Sequence, residues 1–293
     1  MTPRTTETFE GVGGVHLQAD DWDADGRPTV VLIHGGGQTR HSWGGTAAAL
    51  QASGRRTVAY DQRGHGGSDR APDRDYAHLR FAEDCTAVCE AVREADGVPP
   101  IAVGASLGGL AALLTEGDLR PGSVSALVLV DITPRMEPAG VSRIVQFMLD
   151  RVEDGFGSLE EAAAAIAAYQ PHRPPPDDLS GLAKNLRLDP DGRWRWHWDP
   201  DIFLGPKPIN GAATAGRFDA AARRLEVPTL LIRGRQSDLV SVETAREFLE
   251  SCPHAEFVDV SDAGHMVAGD RNDVFTAAVV DFVDQLPVRP AAN

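Results

Sequence analysis

Lysine is nearly missing from this chain: Lys184 and Lys207 are the only two in 293 residues. Arginine carries the other positive charges, and 28 basic residues face 43 acidic ones, a formal net charge of −15. So acidic a balance argues against nucleic acid and against an anionic membrane surface as partners. It fits a solvated surface and a small-molecule substrate. Cysteine is scarce as well. Cys85 and Cys89 lie four apart on an expected helix, a spacing that suits a disulfide poorly, and Cys252 is left over. No second cysteine pair completes a zinc site. All three read as reduced thiols, and the protein as cytoplasmic. No apolar run is long enough to span a bilayer, and residues 1–7 lack the apolar core of a secretion signal. There is no His-Glu-x-x-His pattern, no phosphate-binding loop and no internal repeat, so neither a metal nor a cofactor is expected.

What is present begins with Gly104-Ala105-Ser106-Leu107-Gly108. The apolar run Pro100-Ile101-Ala102-Val103 before it reads as a buried strand. The run Gly109-Leu110-Ala111-Ala112-Leu113-Leu114 after it reads as a helix. A Gly-x-Ser-x-Gly between strand and helix is the pattern of a nucleophile elbow. The turn is tight enough to need two residues without bulk, and both flanking positions are glycine. An ordinary serine in a glycine-rich turn is the alternative for so short a pattern, and the flanking elements argue against it.

The rest of the chain supplies a matching frame. Residues 8–22 read as a hairpin around Gly11-Val12-Gly13-Gly14. Thr29-Val30-Val31-Leu32-Ile33, residues 57–60, 124–130, 228–232 and 255–260 read as strands, several apolar throughout, as strands buried on both faces are. Helices are expected at 42–51, 76–95, 242–250 and 270–285. This alternation predicts an α/β protein with a mostly parallel, doubly wound sheet. The rhythm breaks between 133 and 224, where helices at 141–151 and 159–169, a proline-rich loop at 171–176 and the patch Trp194-Arg195-Trp196-His197-Trp198 occur. That region reads as a helical cap at 133–224 inserted into a core of 1–132 and 225–293.

Acyl transfer by serine needs a hydroxyl, a histidine base, a carboxylate that orients the base, and N–H donors for the oxyanion. In an open parallel sheet these belong at the carboxyl ends of the strands. Ser106 supplies the hydroxyl. His265, after the last strand, is the leading base; His34 and His65, in glycine loops after earlier strands, look better placed to brace those loops. The carboxylate has two candidates. Asp131 closes the strand after the nucleophile helix, and Asp238 lies in Arg233-Gly234-Arg235-Gln236-Ser237-Asp238. Either satisfies the order Ser…Asp…His.

With His34-Gly35-Gly36-Gly37, Asp61-Gln62-Arg63-Gly64-His65-Gly66-Gly67-Ser68, the elbow and Asp262-Ala263-Gly264-His265 in view, the chain resembles an α/β-hydrolase-fold enzyme with a cap. Within that family it is similar to serine esterases and to cofactor-free haloperoxidase-type hydrolases. Val130-Asp131-Ile132-Thr133-Pro134 is similar to a stretch of small carboxylesterases and thioesterases. The resemblance implies Leu107 and Gly36 as oxyanion donors. It favours Asp238 as the acid, since a minority of the family places the acid where Asp131 lies. Serine at 106 disfavours the epoxide hydrolases and haloalkane dehalogenases of this fold, which attack with aspartate. The expected activity is hydrolysis of a carboxylic ester, lactone or thioester of a small or medium apolar substrate. A carbon–carbon bond hydrolase, perhydrolysis at the same residues and a non-catalytic binder are the rivals. Met136, Phe147, Met148, Trp194, Trp196 and Trp198 are the candidate substrate-lining residues, with packing of the cap onto the core as the plainer role for the tryptophans.

Overall fold

The computed structural model describes residues 4–169, 179–261, 263–265, 272–287 and 289–290. The proline-rich stretch at 171–176, Asp262 and the first residues expected in the last helix lie outside these.

The chain opens with β1 (Thr5–Glu10), β2 (His16–Trp22) and β3 (Gly26–Ile33), then α1 (Gly44–Ala52), β4 (Arg55–Tyr60) and α2 (His78–Asp96). β5 (Ile101–Ala105), α3 (Leu107–Leu114) and β6 (Ala126–Val130) follow. An insertion then supplies α4 to α8, with two short strands among them. They are α4 (Pro138–Leu149), α5 (Leu159–Tyr169), α6 (Ser180–Ala183), β7 (Leu186–Leu188), β8 (Trp194–Trp196), α7 (Asp201–Leu204) and α8 (Gly211–Arg223). The sheet resumes with β9 (Thr229–Gly234), α9 (Val242–Ser251), β10 (Glu256–Val260) and α10 (Thr276–Gln285), and β11 (Arg289–Pro290) ends the described chain.

The main sheet runs β1-β2-β4-β3-β5-β6-β9-β10, with β11 beside the start of β3. Pairing is parallel from β4 through β10 and antiparallel for β1, β2 and β11. The all-apolar central strands are explained by helices on both faces. Along β3, Val30 and Leu32 pack with Trp43, Val279 and Phe282 on the face that α1 and α10 cover. Val31 and Ile33 pack with Phe81, Leu113 and Phe248 on the face of α2, α3, α8 and α9. The period of two thus sends alternate side chains into two cores, both of which exclude water.

The insertion between β6 and β9 is mixed rather than wholly helical. β7 and β8 form an antiparallel hairpin whose turn needs Gly192 at φ +80°. Arg187 and Arg195 stand opposite each other across it, and both reach Asp189, which offsets their repulsion. The last helix of the insertion, α8, joins the core layer. Gly117, in the π-helical turn Thr115–Leu119, lets it in: a Cβ there would lie 2.4 Å from the Ala221 carbonyl oxygen.

Candidate active site

Ser106 sits between β5 and α3 with φ +48° and ψ −117°, a backbone conformation that costs a non-glycine residue strain. Its neighbours allow the turn because they have no side chains. A Cβ on Gly104 would lie 2.5 Å from the Gly108 carbonyl oxygen, and one on Gly108 would lie 2.5 Å from the Ile33 carbonyl oxygen. The Ser106 N–H donates to the Val130 carbonyl at 3.2 Å, which ties the elbow to the end of β6. Asp131 is the next residue of the chain.

The glycine loop after β3 closes against the elbow. A Cβ on Gly35 would lie 3.3 Å from Ser106 Cβ, and one on Gly36 would lie 3.9 Å from Leu107 Cδ2. The two expected oxyanion donors, the N–H groups of Gly36 and Leu107, therefore belong to adjoining segments.

His265 follows β10 and is buried. Its Nδ1–H donates to Asp131 Oδ2 at 2.8 Å. The partner is not Asp238, which the resemblance favoured. Asp131 adopts φ +50° at the end of β6 and is almost fully buried. Its carboxylate also accepts from the Gly234 N–H at 2.9 Å and from the Ser237 hydroxyl at 2.8 Å. These three donors hold it in one orientation. Asp238, one residue beyond Ser237, points the other way. It pairs with Arg143 of α4, and its backbone carbonyl packs on Gly140. The loop after β9 thus contributes a hydroxyl to the acid, while its own carboxylate secures the insertion. Ser237 was not foreseen, since a serine beside an aspartate in a loop carries no particular signal.

His34 and His65 brace loops, as expected. His34 Nδ1–H donates to the Gly35 carbonyl at 2.7 Å, and its Nε2 accepts from the Gln62 N–H at 3.0 Å. His65 Nε2 accepts from the Gly37 N–H at 3.1 Å. Burial pushes both imidazoles down to about 3, so both are neutral. A third histidine, His197, joins them: its Nδ1 accepts from the Gly66 N–H at 2.7 Å and its Nε2–H donates to the Gly37 carbonyl at 3.3 Å. The sequence shows it only as the residue facing away from the alternating tryptophans.

The six candidate substrate-lining residues divide. Met148, Trp196 and Trp198 are buried, while Met136, Phe147 and Trp194 keep part of their surface exposed. Phe147 stacks on Tyr169 at 4.3 Å between ring centres and lies 5.9 Å from Trp196, which meets Phe156 edge-on. Trp198 meets Phe203 edge-on. These contacts make the tryptophans packing residues of the insertion first. A cavity of about 470 Å³ lies between the β7–β8 hairpin and the loops after β3 and β4; His65 and His197 line it, but Ser106, Asp131 and His265 do not. Among the described residues no group of three or more His, Cys, Asp or Glu side chains is arranged to hold a metal ion. Nor is any of their helices long and apolar enough to cross a membrane.

A serine on a strained strand-to-helix turn, with an acid and a histidine that follow later strands of the same sheet and pair with each other, is the layout of the α/β-hydrolase class. Residues 28–271 match the family model for the alpha/beta hydrolase fold, and the chain belongs to that family. It is 30% identical to the esterase Rv0045c of Mycobacterium tuberculosis over 83% of this chain and 78% of that protein. It is also 30% identical to the monoacylglycerol lipase of Mycolicibacterium smegmatis over 83% of this chain and 82% of that one. An α/β hydrolase structure from Novosphingobium aromaticivorans superposes with a TM-score of 0.76 at 26% identity, covering 98% of this chain and all of that one.

Proposed function

We propose that the protein is a serine hydrolase that cleaves a carboxylic ester, thioester or lactone of a small or medium apolar substrate through an acyl-enzyme. The observation that carries this reading is the buried His265–Asp131 pair, its acid next in sequence to Val130, whose carbonyl accepts from the N–H of a serine held at φ +48°. The esterase and lipase relatives, each 30% identical, support ester cleavage.

In this reading Ser106 Oγ attacks the acyl carbonyl carbon while His265 Nε2 takes the hydroxyl proton. Asp131 keeps the imidazole proton on Nδ1, so that Nε2 is free to accept, and it stabilises the imidazolium that forms. The carbonyl oxygen becomes an oxyanion between the N–H groups of Leu107 and Gly36; Leu107 opens α3, whose dipole adds to the attraction. The tetrahedral centre then collapses. The C–O or C–S bond to the leaving group breaks, and the imidazolium proton goes to that group. Water repeats the cycle on the Ser106 ester and releases the acid. The insertion serves as a cap. Met136, Phe147 and Trp194, the candidates that keep exposed surface, would meet the acyl chain, with Met148, Trp196 and Trp198 behind them.

A fluorophosphonate reagent and a panel of p-nitrophenyl esters of rising chain length test this. The parent should be labelled on Ser106 and turn over short to medium esters. Ser106→Ala should lose the label and at least about a thousandfold in kcat. A variant with near-parental turnover would remove Ser106 from the mechanism.

A further inference from the structure

The Gly35-Gly36-Gly37 loop carries an oxyanion donor, yet three glycines have no side chains with which to hold themselves. Three imidazoles grip three successive peptide groups instead. The peptide joining Gly35 to Gly36 is held at its carbonyl by His34 Nδ1 at 2.7 Å. The next peptide is held at the Gly37 N–H by His65 Nε2 at 3.1 Å. The third is held at the Gly37 carbonyl by His197 Nε2 at 3.3 Å. Gly37 has φ +76°, so this end of the loop also departs from ordinary backbone conformation.

The hydrogen bonds fix the tautomers. His65 Nδ1–H donates to the Arg63 carbonyl at 3.0 Å, which leaves Nε2 as the acceptor from Gly37. His197 Nδ1 accepts from Gly66, which leaves the proton on Nε2 for the Gly37 carbonyl. Burial, and then the neighbouring His65, keep His197 neutral.

The three differ in origin. His34 and His65 follow β3 and β4 and belong to the core. His197 is one residue past β8, in the insertion, and reaches Gly37 across 160 positions of sequence. Its own position is well anchored. The Asp199 N–H donates to the Gly64 carbonyl at 2.8 Å, and the Tyr76 hydroxyl donates to Asp199 Oδ2 at 2.7 Å. Trp198 between them is buried. The seating of the insertion and the shape of the glycine loop therefore meet in one side chain.

We propose that His197 is a positioning residue supplied by the insertion, which holds the oxyanion loop in its working shape only while the insertion is seated on the core. This deepens the ester-hydrolase reading and rests on it. A bond that only shapes an oxyanion donor should matter more in the transition state than in the bound substrate.

The test compares His197→Asn and His197→Phe with the parent, using ester turnover, affinity for an alkyl boronic acid and thermal unfolding. The boronic acid forms a tetrahedral adduct on the nucleophilic serine and occupies the oxyanion site. Asparagine can still accept from Gly66 but is too short to reach the Gly37 carbonyl. The expected result for both variants is a fall in kcat of about tenfold or more, KM within about twofold, and a boronate affinity that falls in step with kcat. Added imidazole should restore part of kcat to His197→Gly. Parental kcat and boronate affinity in His197→Asn would overturn the proposal. So would a collapse of Tm together with activity that imidazole does not relieve, which would make His197 a residue of the fold alone. A parent that neither turns over esters nor takes the fluorophosphonate would overturn the ester-hydrolase reading itself; a working parent with an indifferent His197→Asn overturns only this proposal.

Discussion

Two aspartates compete for His265, and the direction each side chain takes decides between them. Asp131 receives the histidine, a backbone N–H and the Ser237 hydroxyl, all between 2.8 and 2.9 Å. Asp238 is turned to Arg143, at a partly exposed ion pair of the kind worth about 1 kcal/mol or less. Asp131→Asn should therefore cost roughly 10³- to 10⁴-fold in kcat, because an amide there favours the wrong imidazole tautomer. Asp238→Asn should leave kcat within about threefold. Steady-state kinetics on one ester decides it, and the reverse ranking would restore Asp238 as the acid. Ser237→Ala removes a donor to the acid and the acceptor of the Leu239 and Val240 N–H groups. It should fall between the two, at about tenfold in kcat, the scale of one lost hydrogen bond. The sequence showed both aspartates at strand ends in the required order. It could not show that Asp131 turns through φ +50°, because aspartate tolerates that region without any mark in the neighbouring residues.

At the scale of elements, the most legible feature is the one under the tightest steric constraint. The elbow needed glycine at 104 and 108, and the structure shows why: any Cβ there meets backbone, which no rotamer change can relieve. Gly104→Ala and Gly108→Ala should each lower Tm sharply or abolish soluble expression, the cost exceeding the few tenths of a kcal/mol usual for a surface glycine. Soluble yield and thermal unfolding measure it, and a folded variant with parental Tm would contradict the geometry. The parallel strands were legible for a similar reason. Val30 to Ile33 are apolar without a break because both faces are covered. The insertion was not legible in this way. Its hairpin strands are three residues each, and its decisive contacts, His197 to Gly66 and to Gly37, span 131 and 160 positions. No local pattern records a pairing of that length.

Across the whole molecule, several histidines are buried in neutral form, and this links stability to pH with a definite sign. Burial pushes His34 and His65 down to about 3 and His78 to about 4, against an ordinary value of 6.5. In the unfolded chain each takes up a proton as the pH falls through 6.5; in the folded chain each refuses it until the lower value is reached. The unfolded state binds more protons in that window, so stability is fully present above 6.5 and is lost as the pH falls, at about 1.4 kcal/mol per pH unit for each such histidine. Asp84, raised by burial beside Arg63, acts in the opposite sense over a window that begins at its ordinary 3.8. His78 isolates one contribution. It opens α2, packs edge-on against Phe218 at 5.3 Å between ring centres, and has no Nδ1 partner among the described residues. Among the described residues the imidazoles on the glycine loop are those of His34, His65 and His197, not His78. His78→Phe keeps the aromatic shape and removes the proton. Urea unfolding of parent and variant from pH 7.5 to 5 should therefore give curves that run parallel above 6.5 and diverge below it, the variant gaining on the parent by up to about 1.4 kcal/mol per pH unit. Curves that stay parallel throughout would mean that His78 titrates alike in both states, and that its burial does not keep it neutral.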